Sequence, residues 1–300
     1  MNLFGYTKEA GKRIVRFQLD HAVQQEMTAY LLQQVEDFNA NIKDEYAFDG
    51  KYKPDDGESL FIEPFDPVDD LPKAITSPMN FPVADPAEIS FENIKGLFFG
   101  VVEADGTATV YLQHFDRRRV ISDAGFSIFH SQETYKRIEG SGLTLDTKIA
   151  AKLQGTKLSF SSFFHVRQIF DMSGYYKEAT ESDIQDFSNI NQVHVDKLNV
   201  LIDNSDSWVR RKLWLVMNGP VIQQVPINDI KAIATEFHIT IESIDINGET
   251  KIKIPENKAE LKNLLRFLDE DYYKSPLSKE KFISNSKRKA PPAAPPAVAA

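Results

Sequence analysis

The chain has 300 residues, of which 42% are hydrophobic and 26% charged, as is typical of a folded protein with a substantial core. It contains no cysteine, which excludes disulfides, cysteine nucleophiles and thiolate metal sites. Its formal net charge of −9 is unlike that of a simple nucleic-acid-binding protein, for which a basic domain is the usual footprint.

Acidic and basic residues are distributed unevenly along the chain. Residues 36–105 include seventeen aspartates and glutamates but only five lysines. Residues 274–289, in contrast, include six basic residues and one acid, Glu280. A basic stretch creates a local positive field even within an acidic protein. The net charge therefore weakens the case for nucleic-acid binding without removing it.

The sequence has no segment with the length of a membrane span. Its most continuous apolar run, residues 213–217, is far shorter than the ~20 residues that cross a bilayer. The residues after Met1 lead into Lys8 and Lys12 without the apolar centre of a signal peptide. We therefore expect a cytoplasmic protein with no direct membrane insertion, in which any association with the inner face of the cell membrane has to come through a partner.

Residues 20–40 predict an amphipathic helix. Its apolar residues recur at helical spacing and form one stripe: Val23, Met27, Tyr30, Leu31, Val35 and Phe38. Seven prolines then interrupt residues 49–90, where acids also cluster, and they predict an irregular connection with short extended pieces.

The pattern becomes strand-like from about residue 96. Two apolar runs, 96–102 and 108–113, flank Asp105-Gly106 and predict a β-hairpin. Short gaps between later apolar segments favour an antiparallel meander over parallel crossovers. These further strands are predicted at 118–122, 126–130, 143–149 and 157–162.

After about residue 163 the patterns are mostly helical. A capping box at Thr180 to Asp183 opens one helix, and Asn257 caps another whose leucines form a core-facing stripe. Further helices are predicted at 208–217 and 228–237. A late β-hairpin is predicted around the turn Asn247-Gly248.

The predicted fold class is α+β, with an N-terminal helical region, an antiparallel strand-rich middle and a helical C-terminal part with one late β-hairpin. The predicted divisions are 1–94, an N-terminal region with the amphipathic helix and the acidic Pro-rich connection, 95–289, the main α+β domain, and 290–300, a disordered Ala/Pro tail.

No pattern in the sequence indicates catalysis, a cofactor or a metal site. The six histidines show no short ligand spacing, and nucleophile-elbow, Walker and dinucleotide motifs are missing. One fragment, Glu249-Thr250-Lys251, has the Glu-x-Lys form of magnesium nucleases, with Asp229 and Asp245 upstream as possible ligands. It lies at an exposed hairpin tip, however, and such a triplet arises readily by chance. We therefore assign no catalytic residues, no metal ligands and no cofactor.

An acidic triplet, Asp269-Glu270-Asp271, follows the last predicted helix, where negative charge opposes the helix dipole. A solvated or salt-bridged cluster, paired with Lys274 or a nearby arginine, is favoured there over a metal site.

Basic side chains are the candidate phosphate contacts, because phosphate binding depends on positive charges that share a face. They fall in three groups, which comprise Arg117, Arg118 and Arg119; Arg210, Arg211 and Lys212; and Lys279, Lys281, Lys287, Arg288 and Lys289. If these groups bind the phosphates of a nucleic acid, replacing Arg210, Arg211 and Lys212 by glutamate is expected to weaken that binding without unfolding the protein.

Two blocks of sequence carry a resemblance to a known family. Residues 264–288, which begin Leu-Leu-Arg-Phe-Leu-Asp-Glu-Asp-Tyr-Tyr-Lys-Ser-Pro-Leu, resemble the closing motif of the KwaB family of the Kiwa anti-phage system. Residues 169–187, with Ile-Phe-Asp-Met and Tyr-Tyr-Lys-Glu-Ala-Thr, are similar to the middle of that family. The resemblance spans about residues 95–289.

This resemblance implies a bacterial defence protein that binds DNA with little sequence preference. It also implies self-association, most simply as a homodimer, and action beside a small membrane protein of the KwaA type. Two other hypotheses stay open, a divalent-metal nuclease using Glu249 and Lys251, and an interaction subunit that binds no DNA.

Overall fold

Short strands from the first 172 residues form an eight-stranded sheet. The computed structural model describes residues 1–66, 70–121, 127–131, 134–137 and 140–290. These residues divide into two units, of which the first holds residues 1–49 and 53–172 and the second holds residues 50–52 and the chain from Ser173 on. Residues 291–300 of the predicted Ala/Pro tail lie outside the described residues.

The first unit contains β1 (Leu3–Thr7), β2 (Ile14–Phe17), α1 (His21–Asn41), β3 (Asp44–Ala47), β4 (Glu58–Ile62), α2 (Asp70–Thr76), β5 (Ile94–Val102), β6 (Ala108–His114), β7 (Val120–Ile121), β8 (Ile128–Ser131), β9 (Thr134–Arg137), β10 (Gly142–Leu143), β11 (Ala151–Gln154), β12 (Lys157–Phe160) and α3 (Phe163–Ile169). Short 3-10 turns cover Pro78–Asn80, Phe91–Asn93 and Arg117–Arg119.

The strand order of the main sheet is β2-β1-β5-β6-β11-β12-β4-β3. The predicted hairpin is confirmed as β5 and β6, and the run from β5 through β12 is antiparallel as expected. One strand was predicted at 143–149, whereas the structure has two shorter strands, β10, which ends at Leu143, and β11, which begins at Ala151. The strands predicted at 118–122 and 126–130 fall partly outside the described residues.

The N-terminal residues contribute more than the predicted helix. Strand β1 pairs with β5, and β4, from the Pro-rich stretch, pairs with β12. Because residues on both sides of position 94 share one sheet, the structure does not divide between 94 and 95. It divides near residue 172 instead.

Helix α1 confirms the predicted amphipathic helix and lies against the sheet. Asp20 caps it by accepting a hydrogen bond from the backbone N–H of Val23. Met27 and Leu31 are buried, whereas Val23 and Tyr30, which the stripe also included, are more than 40% exposed. The buried stripe is therefore narrower than the sequence pattern indicates.

The second unit is mostly helical. It contains α4 (Glu181–Ser188), β13 (Val193–His194), α5 (Leu198–Asn204), α6 (Ser207–Met217), α7 (Val221–Gln224), α8 (Ile227–Glu236), β14 (Ser243–Ile246), β15 (Glu249–Lys253), α9 (Lys258–Leu268), β16 (Tyr272–Lys274) and β17 (Lys281–Ile283). The capping box at Thr180, the Asn257 cap and the hairpin around Asn247-Gly248 are all confirmed. The α+β fold class is confirmed as well.

Helices α6 and α9 lie against each other in the core of the second unit. Val209 and Leu213 of α6 are fully buried, and so are Leu261 and Leu265 of α9. Burial of a leucine side chain contributes about 1.5–3 kcal/mol. This packing fixes the position of the C-terminal end of α9, where the acidic triplet begins.

Candidate functional site

Arg117, Arg118 and Arg119 lie on a 3-10 turn of the first unit, and each has a carboxylate partner. Arg117 pairs with Glu92 at 3.1 Å and Arg118 with Asp116 at 3.0 Å, although the side chains of both arginines are more than 80% exposed. Exposed pairs of this kind contribute little to stability, so both guanidinium groups stay accessible. Arg119 is different, because it lies 2.6 Å from Asp146 and is 28% exposed.

Arg210 and Arg211 have structural contacts within the second unit. Arg210 donates hydrogen bonds to the carbonyl oxygens of Ser205 and Ala179. Arg211 is 5% exposed, donates to the carbonyl oxygen of Lys177 and lies 4.1 Å from the centre of the Tyr176 ring. These side chains connect the start of α6 to the preceding loop.

The segment at residues 50–52 approaches Arg211 closely. Gly50 has a φ of +71°, and a Cβ atom there would lie 2.2 Å from a guanidinium nitrogen of Arg211. The left-handed backbone favours glycine at this position, and a Cβ atom would also displace the end of the Arg211 side chain.

Lys212 ends in a buried charge network with Asp269 and Asp271. Its ammonium lies 2.6 Å from Asp269 and 2.5 Å from Asp271. Lys287 approaches the same two carboxylates at 3.3 and 2.8 Å, and Lys51 lies 3.1 Å from Asp269. The network therefore joins α6, the end of α9, the segment that follows β17 and residue 51.

Both aspartates of this network are almost inaccessible, with 4% of Asp269 and 1% of Asp271 exposed. Burial alone would raise the pKa of Asp269, but the hydrogen bond from Lys212 and the charges of Lys212, Lys287 and Lys51 outweigh burial and lower that pKa. Asp269 is therefore ionised at neutral pH. The prediction of a salt-bridged acidic cluster is confirmed, with lysines as its partners.

The antiparallel hairpin of β16 and β17 presents basic and aromatic side chains to solvent. Lys274 and Lys281 lie opposite each other, and Tyr273 lies opposite Phe282. Since neighbouring residues of a strand point to opposite faces, the lysines share one face and the aromatic pair the other. The two rings are stacked at 5.2 Å, and 49% of Tyr273 and 39% of Phe282 are exposed.

The remaining candidate residues lie in or near this hairpin. Lys279 is exposed in the loop between the strands and donates to the carbonyl oxygen of Pro276. Lys281 is exposed on β17, with its ammonium 6.0 Å from the ring centre of Phe237. Arg288 lies over the Tyr52 ring at 5.0 Å, and Lys289 is exposed. The exposed members of this group are accessible to a polyanion.

The structure does not bring Asp245, one of the proposed metal ligands, to the face of Glu249. Glu249 and Lys251 alternate with Thr250 along β15, and Thr250 pairs across the hairpin with Asp245 and donates a hydrogen bond to it. Residues paired across two strands share a face, so Asp245 faces away from Glu249. Across the described ranges, no three histidine or carboxylate side chains are grouped so that they could hold a metal ion.

Among the described residues, no helix combines the length and the apolar character that crossing a membrane requires.

Comparison with known protein families gives a match. The model of a protein family described as Kiwa protein KwaB-like matches residues 91–278, which include α9, the acidic triplet and β16. Neither the curated proteins nor the solved structures give a match.

Proposed function

The chain belongs to the KwaB-like family of Kiwa proteins, and from this premise we propose that it serves anti-phage defence by binding DNA without cutting it. The observation that carries the proposal is the hairpin of β16 and β17. It combines three exposed lysines, 274, 279 and 281, with an exposed aromatic pair in a protein of net charge −9.

The chemistry of the hairpin suits a nucleic-acid backbone. Lysine ammonium groups neutralise phosphates and release condensed counterions, which supplies most of the affinity of sequence-independent binding. The stacked rings of Tyr273 and Phe282 offer an apolar surface for unpaired bases, and stacking of this kind tolerates any sequence. Lys289 and the exposed Arg117 and Arg118 are further proposed contacts.

Arg210, Arg211, Lys212 and Lys287 are not part of the proposed surface, because their head groups have partners inside the second unit. Their substitution would test stability more than binding. Because Arg211 and the side chain of Lys212 are mostly buried, we now expect glutamate at these two positions to destabilise the protein, whereas Arg210 is less buried.

We propose two partners beside DNA. The first is a second copy of the chain, in a homodimer or higher oligomer. The second is a membrane protein of the KwaA type, which would hold this protein at the inner face of the cell membrane. Leu277, 92% exposed in the loop of the hairpin, is a candidate contact for either protein partner.

The proposal predicts strongly salt-dependent DNA binding. Fluorescence anisotropy with a labelled 20-base-pair duplex should show a linear fall of log affinity with log salt, with a slope of about −0.9 per phosphate contacted. A 20-nucleotide single strand serves as the second probe. The same samples, with and without magnesium, are then run on a gel.

Salt-dependent binding with intact DNA supports the proposal. The absence of binding at low salt would contradict it and favour an interaction subunit. Magnesium-dependent fragments would instead favour a nuclease.

A further inference from the structure

A cavity of about 200 Å³ opens beside the buried charge network of the second unit. Its lining includes Lys212, Lys287 and Arg266, the two aspartates 269 and 271, and the ring of Trp208. Sites for drug-sized molecules usually measure ~300–1,000 Å³. The cavity is therefore suited to a small chemical group more than to a whole nucleotide.

The cations of this cavity are more accessible than its anions. The side chains of Asp269 and Asp271 are 2% and 1% exposed, compared with 12% for Lys212 and 26% for Lys287. Asp269 is already engaged by three lysines and Asp271 by two. A ligand that enters therefore meets ammonium groups, and the carboxylates lie behind them.

Arg266 supplies a positive charge that the network does not neutralise. Its guanidinium lies 5.2 Å from the ring centre of Trp208, and no carboxylate of the described residues pairs with it. Its Nε is buried and has no acceptor there. A buried N–H without an acceptor costs about 1–3 kcal/mol, so the hydrogen-bonding capacity of this guanidinium is not fully satisfied within the described residues.

We propose that this cavity binds a phosphomonoester group, carried either by a mononucleotide or by the 5′ end of a DNA strand. A phosphomonoester carries close to two negative charges at neutral pH and has three strong acceptor oxygens. Lys212 and Lys287 supply point charges, while the fork of Arg266 donates to two oxygens at once. This site is separate from the hairpin, and its binding of a nucleotide does not depend on DNA binding there.

Isothermal titration calorimetry of the full chain tests the site with two matched pairs of probes. The first pair is AMP and adenosine, and the second is a thymidine trinucleotide with and without a 5′-phosphate. Within at least one pair, the phosphorylated probe should bind at least about tenfold more tightly, since a charged hydrogen bond contributes that much or more. The pair that responds identifies the source of the phosphate.

The variant Arg266→Gln should remove at least about tenfold of this preference. Lys262→Gln is the matched control, because Lys262 lies 5.3 Å from the same Trp208 ring but pairs with Asp206 and does not line the cavity. The control should retain wild-type affinity within about twofold.

A second measurement avoids reliance on Arg266→Gln. In Trp214→Phe, Trp208 is the only remaining tryptophan, and its emission should change with the phosphorylated probe and stay constant with the other. Equal binding of both members of each pair, or no binding of any probe, would overturn the proposal. So would an unchanged preference in folded Arg266→Gln. Binding of the trinucleotide without phosphate reports on the hairpin and is scored separately.

Discussion

Replacing Asp271 by alanine should lower the free energy of unfolding of the second unit by about 3–5 kcal/mol. Asp271 is 1% exposed and accepts from Lys212 and Lys287 at 2.5 and 2.8 Å. Its removal leaves the ammonium groups of Lys212, Lys287 and Lys51 to share Asp269. Removing one partner of a buried ion pair is costly because the remaining charge has lost both its water and its counterion.

Urea unfolding followed by tryptophan fluorescence measures this loss in the relevant unit. Both tryptophans of the chain, 208 and 214, lie on α6 beside Lys212. The control is Glu242→Ala in the same unit, since Glu242 is 71% exposed and lies 3.7 Å from Lys253. The control should change stability by less than about 1 kcal/mol. A loss in Asp271→Ala no larger than in the control would show that the network is not stabilising.

The double variant Lys279→Glu, Lys281→Glu should bind DNA at least about tenfold more weakly at low salt and reduce the salt slope by about 2. Both side chains are exposed and neither is part of an ion pair of the described residues. The variant is therefore expected to fold normally. The loss arises because two phosphate contacts are replaced by repulsion.

A matched control separates local contact from overall charge. Lys8→Glu, Lys148→Glu makes the same change in net charge at two exposed positions of the first unit. Anisotropy titrations should give the control a much smaller loss of affinity. Equal losses in the two double variants would mean that only the total charge matters and that the hairpin is not a contact surface.

Local signals in the sequence were sufficient to predict the helices and hairpins of the second unit. Asn257 caps α9 as expected, and the Asn247-Gly248 turn joins β14 and β15. Both features depend on a few consecutive residues whose side chains and backbone interact directly. Strand β1 was missed because five apolar and small residues carry no alternating pattern when the strand is buried throughout.

The candidate site was predicted less well, since its key contacts link residues distant in sequence. The sequence around Lys212 predicts an exposed basic cluster. In the structure, however, Lys212 pairs with carboxylates that lie 57 and 59 residues further along the chain. Arg211 lies against Gly50 and the Tyr176 ring, and the helical pattern of residues 208–217 does not indicate either contact. Arg266 and Trp208 were not singled out, because only the fold brings them together.

The acidic triplet is a sequence signal for nearby cations, although it does not identify them. Negative charge at a helix C-terminus opposes the dipole, so its presence at Asp269 indicates compensation by cations elsewhere. From the sequence, Lys274 or a nearby arginine is the predicted partner of this triplet. The structure places Lys212, Lys287 and Lys51 there, while Lys274 lies near Glu236.

Hydrogen–deuterium exchange of the full chain, with and without DNA at low salt, tests the central claim most directly. If DNA lies on the hairpin, residues 272–283 should exchange more slowly in the complex, while the Asn247-Gly248 hairpin of the same unit should be unchanged. Unaltered exchange throughout residues 272–283 under conditions where anisotropy shows bound DNA would contradict the account.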